Sequence, residues 1–226
     1  MVISLLARLD CELAIHLIYE APIQQLIGPC YVANAGQPQL FHEPVLIHPV
    51  GAFDPQVRSR FDRSGIRYVN NLHGGTGFGK LWTETYCTKD RKEVERRLEA
   101  DGHAFEWKPN GTLRICMHAP ATLRHPATQE EVWTNQAEQW HSSSLESTLL
   151  EDLLSILGEE ELPHNAFLGD GSPLSKSDLE NIRTAMAAEE RVFKWQAGDV
   201  LLCDNLLVMH GRQPYSGDRK ILVSMG

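Results

Sequence analysis

The sequence carries no excess of positive charge, no Cys-x-x-Cys pair, no long apolar run and no internal repeat, and each absence removes a class of protein. Lysine and arginine number 21 against 30 acidic residues, a formal net charge of −9. A phosphate-backbone partner calls for a basic face, so nucleic acid is not an expected partner. The five cysteines (Cys11, Cys30, Cys87, Cys116 and Cys203) are scattered and odd in number. That argues against a disulfide framework or a cysteine-zinc site and fits a reducing cytoplasm. The opening Met-Val-Ile-Ser-Leu-Leu-Ala lacks a basic n-region and is soon interrupted by Arg8 and Asp10. Neither a secretory signal nor a membrane span is predicted. No low-complexity linker breaks the chain, and 226 residues suffice for one sizeable core, so a single domain over 1–226 is expected.

What is present reads as short elements with clear punctuation. Asp54 and Pro55 open a helix over 55–64, as N-cap and first helical residue. Arg67–Leu72 is extended. Thr88 is placed to cap a charged helix over 89–101 that stops at Gly102. Ala104–Lys108 and Thr112–Met117 flank Asn110-Gly111, a favoured two-residue hairpin turn. Helices follow over 145–157 and 176–189, the second capped by Ser175 or Ser177. The end of the chain is strand-like: Val192–Trp195, Asp199–Cys203, Leu206–His210 and Arg219–Met225 are apolar and separated by turn residues. Closely spaced short strands favour antiparallel β architecture over βαβ units. The fold class expected is α+β, with helices inserted around a β sandwich or barrel core.

The most informative stretch runs from Trp195 to Arg212 and on through Ser216-Gly217-Asp218-Arg219-Lys220-Ile221-Leu222-Val223. An apolar strand puts His210 at its end, beside Gly211, which admits close approach of a ligand. Arg219, nine residues on, opens a strand that can return antiparallel. An imidazole and a guanidinium would then face one cavity, as a metal ligand beside a carboxylate clamp. Spacing alone favours the plainer reading, a surface histidine at a turn and an arginine in an edge salt bridge.

This segment resembles the distal-histidine motif of the TauD/TfdA-like iron(II)/2-oxoglutarate-dependent dioxygenases, especially their syringomycin- and clavaminate-biosynthesis-like branch. Gly198-Asp199, Asp204-Asn205, His210-Gly211-Arg212 and the run from Ser216 to Val223 carry the match. Arg67-Tyr-Val-Asn-Asn-Leu72, Gly75-Thr76-Gly77, Trp82, Phe105-Glu-Trp107 and Val132-Trp-Thr-Asn135-Gln136 extend it over most of residues 50–226. The resemblance implies a double-stranded β-helix, or jelly roll, with inserted helices. It implies Fe(2+) as metal, 2-oxoglutarate as cosubstrate, and hydroxylation or desaturation of an amino-acid-like small molecule, free or tethered to a peptidyl carrier protein. His210 would be the distal iron ligand and Arg219 the partner of the distal carboxylate of 2-oxoglutarate. Lys220 is the weaker alternative, because neighbouring strand residues face opposite ways. Asn135 and His141 fall on the substrate side. Asp204, Asn205 and Arg212 correspond to turn and supporting positions rather than to catalysts.

The proximal half departs from the pattern. The family's facial triad needs a His-x-Asp/Glu pair, and none of the ten histidines has an acid two positions on. The segment resembling it is Asp10-Cys11-Glu12. Glu12 would be the carboxylate ligand, with Asp10 where the proximal histidine belongs. Pro38 of Ala35-Gly36-Gln37-Pro38 stands where a threonine touching 2-oxoglutarate belongs. An Asp/Glu/His set is harder and more anionic than a two-imidazole set and shifts preference towards magnesium, calcium or manganese. Without the resemblance, Asp10 and Glu12 read as a solvated strand end. Nine residues precede Asp10, far fewer than in the family. N-terminal strands are therefore expected to be missing, and unpaired edges would invite association between copies. Asp10 and Pro38 also favour a second reading, a catalytically impaired relative that only binds a ligand or a partner.

One motif competes. Gly74-Gly-Thr-Gly-Phe-Gly79-Lys80 matches a phosphate-cradling loop, except that Leu81 replaces the Ser/Thr that binds magnesium. Lys80–Cys87 is too short and too rich in threonine and aromatics for the long helix that should follow. His118, His125 and His164 read as loop or surface residues, the five tryptophans as core or rim, and Glu159-Glu160-Glu161 as a solvated loop.

Overall fold

The computed structural model describes residues 7–8, 29–34, 42–47, 53–194, 199–204, 206–210 and 221–225. In chain order these form β1 (Ala7–Arg8), β2 (Pro29–Asn34), β3 (His42–Ile47), α1 (Pro55–Ser64), β4 (Ile66–Leu72), α2 (Trp82–Thr85) and α3 (Arg91–Ala100). Then come β5 (Ala104–Trp107), β6 (Leu113–Ala119), β7 (Thr122–Arg124), β8 (Glu131–Trp133), α4 (Ala137–Trp140) and α5 (Ser147–Ile156). The last are β9 (His164–Leu168), α6 (Lys176–Glu189), β10 (Glu190–Lys194), β11 (Asp199–Asp204), β12 (Val208–His210) and β13 (Ile221–Met225). Helices mixed with antiparallel sheets make the fold α+β, as composition and punctuation predict. The chain divides into two compact units, one from residues 1–52, 123–134 and 184–226, the other from 53–122 and 135–183.

The second unit is built on an antiparallel sheet in the order β5-β6-β4-β9. Its first helix starts where the sequence places it: Asp54 accepts the N–H of Gln56 at 2.7 Å, and Pro55 follows. α1 buries Val57 and Phe61, one turn apart, and ends at Gly65 with φ 63°. Any side chain at Gly65 would stand 2.7 Å from the carbonyl oxygen of Ala119, so glycine is required there twice over. α3 carries only Val94 and Leu98 as its buried stripe. These pack with Leu72, Trp82, Leu113 and Ile115, and Leu72 and Leu113 are register partners on β4 and β6. Burying such aliphatic side chains contributes about 1.5–3 kcal/mol each.

Three local expectations are corrected. α3 begins at Arg91, not at residue 89, because Asp90 caps it by accepting from the N–H of Lys92 at 2.9 Å; Thr88 instead accepts from Asp90 N–H and bonds Glu93. The β5–β6 hairpin does not close on a two-residue turn. Lys108 O accepts the N–H of Gly111 and Lys108 N donates to Thr112 O, which leaves Gly111 at φ 83°. Pro109 decides this: its fixed φ suits the second position of a type I turn followed by a glycine bulge and cannot serve the mirror-image turn. Glu159–Glu161 is no free loop but a 3-10 turn, in which Glu160 pairs with Arg67 and Arg114, and Glu161 with Lys108. Expectation and structure agree at the later helices: α5 spans Ser147–Ile156, and Ser175 accepts the N–H of Asp178 at the start of α6.

The first unit holds two antiparallel sheets, β1-β11-β2-β13 and β10-β3-β12, and the hairpin of β7 and β8. From β10 to β13, successive strands alternate between the two sheets. The partners are distant in sequence, and it is the long-range register that sets which strand ends lie together. Among the described residues no helix is long and apolar enough to cross a membrane.

Candidate metal and cosubstrate site

His210 closes β12, where it stands opposite Val45 of β3. What directs this strand is the turn before it. Asp204, the last residue of β11, uses its backbone oxygen and its side-chain Oδ1 to take the N–H of Leu207, at 3.0 and 3.3 Å. Oδ1 also takes the N–H of Leu206 at 3.0 Å. An aspartate that accepts from the amides two and three residues on makes an Asx turn, and here it reverses the chain between β11 and β12. Val208, the first residue after the turn, is buried.

The register of the four-stranded sheet shows which strand ends lie nearest in sequence to the other candidates. Arg8 lies opposite Asp199, Val200 opposite Ala33, and Ile221 opposite Asn34. Arg8, Asp199, Asn34 and Ile221 therefore mark one end of that sheet. Asp10 lies two residues beyond Arg8, Pro38 four beyond Asn34, and Arg219 two before Ile221. In the three-stranded sheet β12 runs towards the end marked by His42 and its partner Lys194. Lys194 precedes Asp199 by five residues, a span of at most about 17 Å. Asp10, Glu12, Pro38, Arg219 and Lys220 themselves lie outside the described residues. Among the described residues no three His, Cys, Asp or Glu side chains converge as a metal site.

The substrate-side candidates are placed in the second unit. Asn135 is buried; its amide donates to Ala121 O at 2.8 Å and its oxygen accepts the N–H of Ala137 at 3.1 Å, which fixes the start of α4. His141 is partly buried and accepts the N–H of Ser143 at its Nδ1. Burial first, and then the nearby Arg183 guanidinium, hold its imidazole below the ordinary value, against a smaller opposing pull from Glu138. His125 is a loop residue, as the sequence suggests, but 4% exposed; His164 is neither loop nor surface, standing on β9, half-buried and edge-on to Trp140; His118 on β6 is exposed. His125 is the residue sequence reasoning undervalued. Its partner is Asp204, 79 positions away, a pairing that leaves no periodic trace. The glycine-rich run 74–80 is an exposed loop whose neck is closed by His73 N donating to Lys80 O at 3.0 Å; the four-residue α2 follows in place of a long phosphate-binding helix.

The family is settled by comparison: residues 51–225 match the taurine catabolism dioxygenase TauD, TfdA family, and the chain belongs to it. It is 37% identical over 172 residues to the dapdiamide synthesis protein DdaC of Enterobacter agglomerans, covering 76% of this chain and 52% of that one. It is 29% identical over 177 residues to a clavaminate synthase-like protein of Arabidopsis thaliana, covering 76% of this chain and 50% of the other. The chain thus spans about half the length of the curated relatives it matches. A solved structure of AAD-2 with Mn(II) and N-oxalylglycine aligns over 88% of this chain and 62% of its own, at 10% identity and a TM-score of 0.47.

Proposed function

We propose that the chain contributes the metal and cosubstrate site of an iron(II)/2-oxoglutarate-dependent oxygenase of jelly-roll architecture, all of it belonging to one oxygenase domain. The observation that carries this reading is the shared end of the four-stranded sheet, at which β1 and β2 finish and β13 begins, next in sequence to Asp10, Pro38 and Arg219. Strands β10 to β13 alternating between two sheets support the double-wound architecture. Family membership and the intact His210 and Arg219 motif support the chemistry.

His210, Glu12 and Asp10 hold the metal, and Arg219, with Lys220 beside it, pairs the distal carboxylate of 2-oxoglutarate. Iron(II) with 2-oxoglutarate supplies the oxidising capacity for hydroxylating or desaturating an unactivated C–H bond. The chain's own task is to orient these groups and keep the pocket dry. His210 must be a neutral imidazole to ligate, and the two carboxylates offset more of the metal's charge than the usual single one. Similarity to a protein named for dapdiamide synthesis supports an amino-acid-like substrate, free or held on a peptidyl carrier protein. Asn135 and His141 are assigned to the substrate side by resemblance to the family; Asn135 would act indirectly by fixing the start of α4, and His141 through its remaining Nε2.

A second reading, a relative that binds a ligand without turning it over, is favoured by Asp10 and Pro38 standing where histidine and threonine belong. Succinate formation with iron(II), compared among the native chain, Asp10→His and Asp10→His with Pro38→Thr, separates the two. Turnover by the native chain supports an oxygenase with an unusual ligand set. Turnover only in the variants supports the second reading. No iron binding by any of the three, with the fold intact, sinks the proximal assignment.

A further inference from the structure

Beyond the ligands, one buried side chain is tied to the metal-bearing strand. His125 sits at the root of the turn joining β7 and β8, where its N–H donates to Glu130 O at 2.7 Å and its carbonyl accepts the N–H of Gln129 at 2.9 Å. Its Nδ1 accepts the backbone N–H of Thr128 at 3.0 Å, with the Thr128 hydroxyl also at 3.1 Å. A ring nitrogen that accepts from an amide carries no proton, so the proton of this imidazole is on Nε2. Nε2 lies 3.1 Å from Oδ2 of Asp204 and donates to it. The other oxygen of the same carboxylate holds the amides of Leu206 and Leu207. One carboxylate is thus divided between the turn it forms and the histidine that keeps it in place.

We propose that His125 is a positioning residue: by fixing Asp204 through Nε2–H it sets the turn from which β12 departs, and so the register in which His210 reaches the metal. Its hairpin closes tightly on itself, so the imidazole is a fixed donor rather than a mobile one. Asp204 is 47% exposed on its side-chain surface, and water can replace a lost donor there. The effect is accordingly one of precision, not of folding. This inference rests on His210 being a metal ligand, as proposed above.

The test uses the full chain with His125→Leu, which removes the donor, and His125→Gln, whose amide nitrogen can reach where Nε2 is. Asp204→Asn keeps the acceptor for the turn amides but sets an N–H group against Nε2–H. Amide exchange is read over the peptide covering 204–210, and Mn(II) affinity by titration, with His210→Ala as the control for the ligand. His125→Leu and Asp204→Asn should each speed exchange at Leu206 and Leu207 about tenfold without global unfolding, and the double variant should add little. His125→Gln should stay close to the native rate. Mn(II) affinity should fall about tenfold in His125→Leu, the lower end of what supports around metal ligands carry. Unchanged exchange in His125→Leu overturns the proposal, as does a His125→Gln that exchanges as fast as the leucine variant. Altered exchange with unaltered Mn(II) affinity, where His210→Ala does abolish binding, also overturns it. If His210→Ala binds Mn(II) like the native chain, the ligand assignment fails, and the link from His125 to β12 as a metal-positioning device falls with it.

Discussion

The hydroxyl oxygen of Tyr68 on β4 accepts the backbone N–H of Gln136 at 2.9 Å, which ties the second unit's sheet to the start of α4. The ring stands edge-on to Trp140 at the far end of the same helix, 5.4 Å between centroids. Burial pushes the Tyr68 phenol up to about 12, with the Gln136 contact pulling slightly the other way, so it stays neutral wherever the protein is folded. Tyr68→Phe leaves the ring packing and removes the acceptor. The amide of Gln136 then loses its partner, and stability should fall by about 1–3 kcal/mol. An unchanged denaturation midpoint would show that this hydroxyl does not hold α4 to the sheet.

Glu160 predicts an acid response. The Arg67 hydrogen bond first, opposed by burial and reinforced by the Arg114 hydrogen bond, holds its carboxyl below the ordinary 4.5. A folded-state value below the unfolded one contributes stability above the unfolded value, and that stability is lost as pH falls through the folded one. Glu160 is roughly half exposed, so Glu160→Gln should cost only about 0.5–1 kcal/mol near neutrality. The two proteins should converge at pH values below the folded-state titration. A gap that persists in acid would mean the loss is one of packing.

His164 acts in a higher window. Burial against Trp140 lowers its imidazole below the ordinary 6.5, so the neutral form is the one the fold accommodates. Its contribution is complete above the unfolded value near 6.5 and declines as pH falls through the folded one. His164→Phe keeps an aromatic edge for Trp140 and should flatten the fall in melting temperature over that range. His141 shifts in the same direction, so the single variant removes only part of the slope. A profile identical to the native one would assign the slope to other groups.

For the cosubstrate, Arg219→Ala should weaken 2-oxoglutarate binding by about 2–4 kcal/mol, the cost of leaving a desolvated carboxylate without its partner. Lys220→Ala should change it little. Calorimetry decides between them; the reverse order would move the clamp to Lys220.

The elements that the sequence determined alone are those whose signals are local. Asp54-Pro55 opens α1, Ser175 caps α6, and Gly102 ends the α3 segment at φ 71°, each through contacts a few residues apart. Family membership likewise follows from residues 51–225, and it is resemblance to the family's motif, not spacing, that proposes His210 and Arg219. Where two local signals competed, the structure shows which prevailed: Pro109 sets the turn that contains Asn110-Gly111, and Asp90 rather than Thr88 caps α3. Contacts between distant residues were invisible in the sequence. Glu160 reaches Arg67 across 93 positions and His125 reaches Asp204 across 79, distances at which neither periodicity nor capping chemistry leaves a mark. Strand order is of the same kind. Each antiparallel partner in the first unit is chosen by register across the whole chain, because a strand's backbone groups are satisfied by a neighbour and not by itself, so only the folded sheet could decide that the segments of Asp10, Pro38 and Arg219 leave from one end.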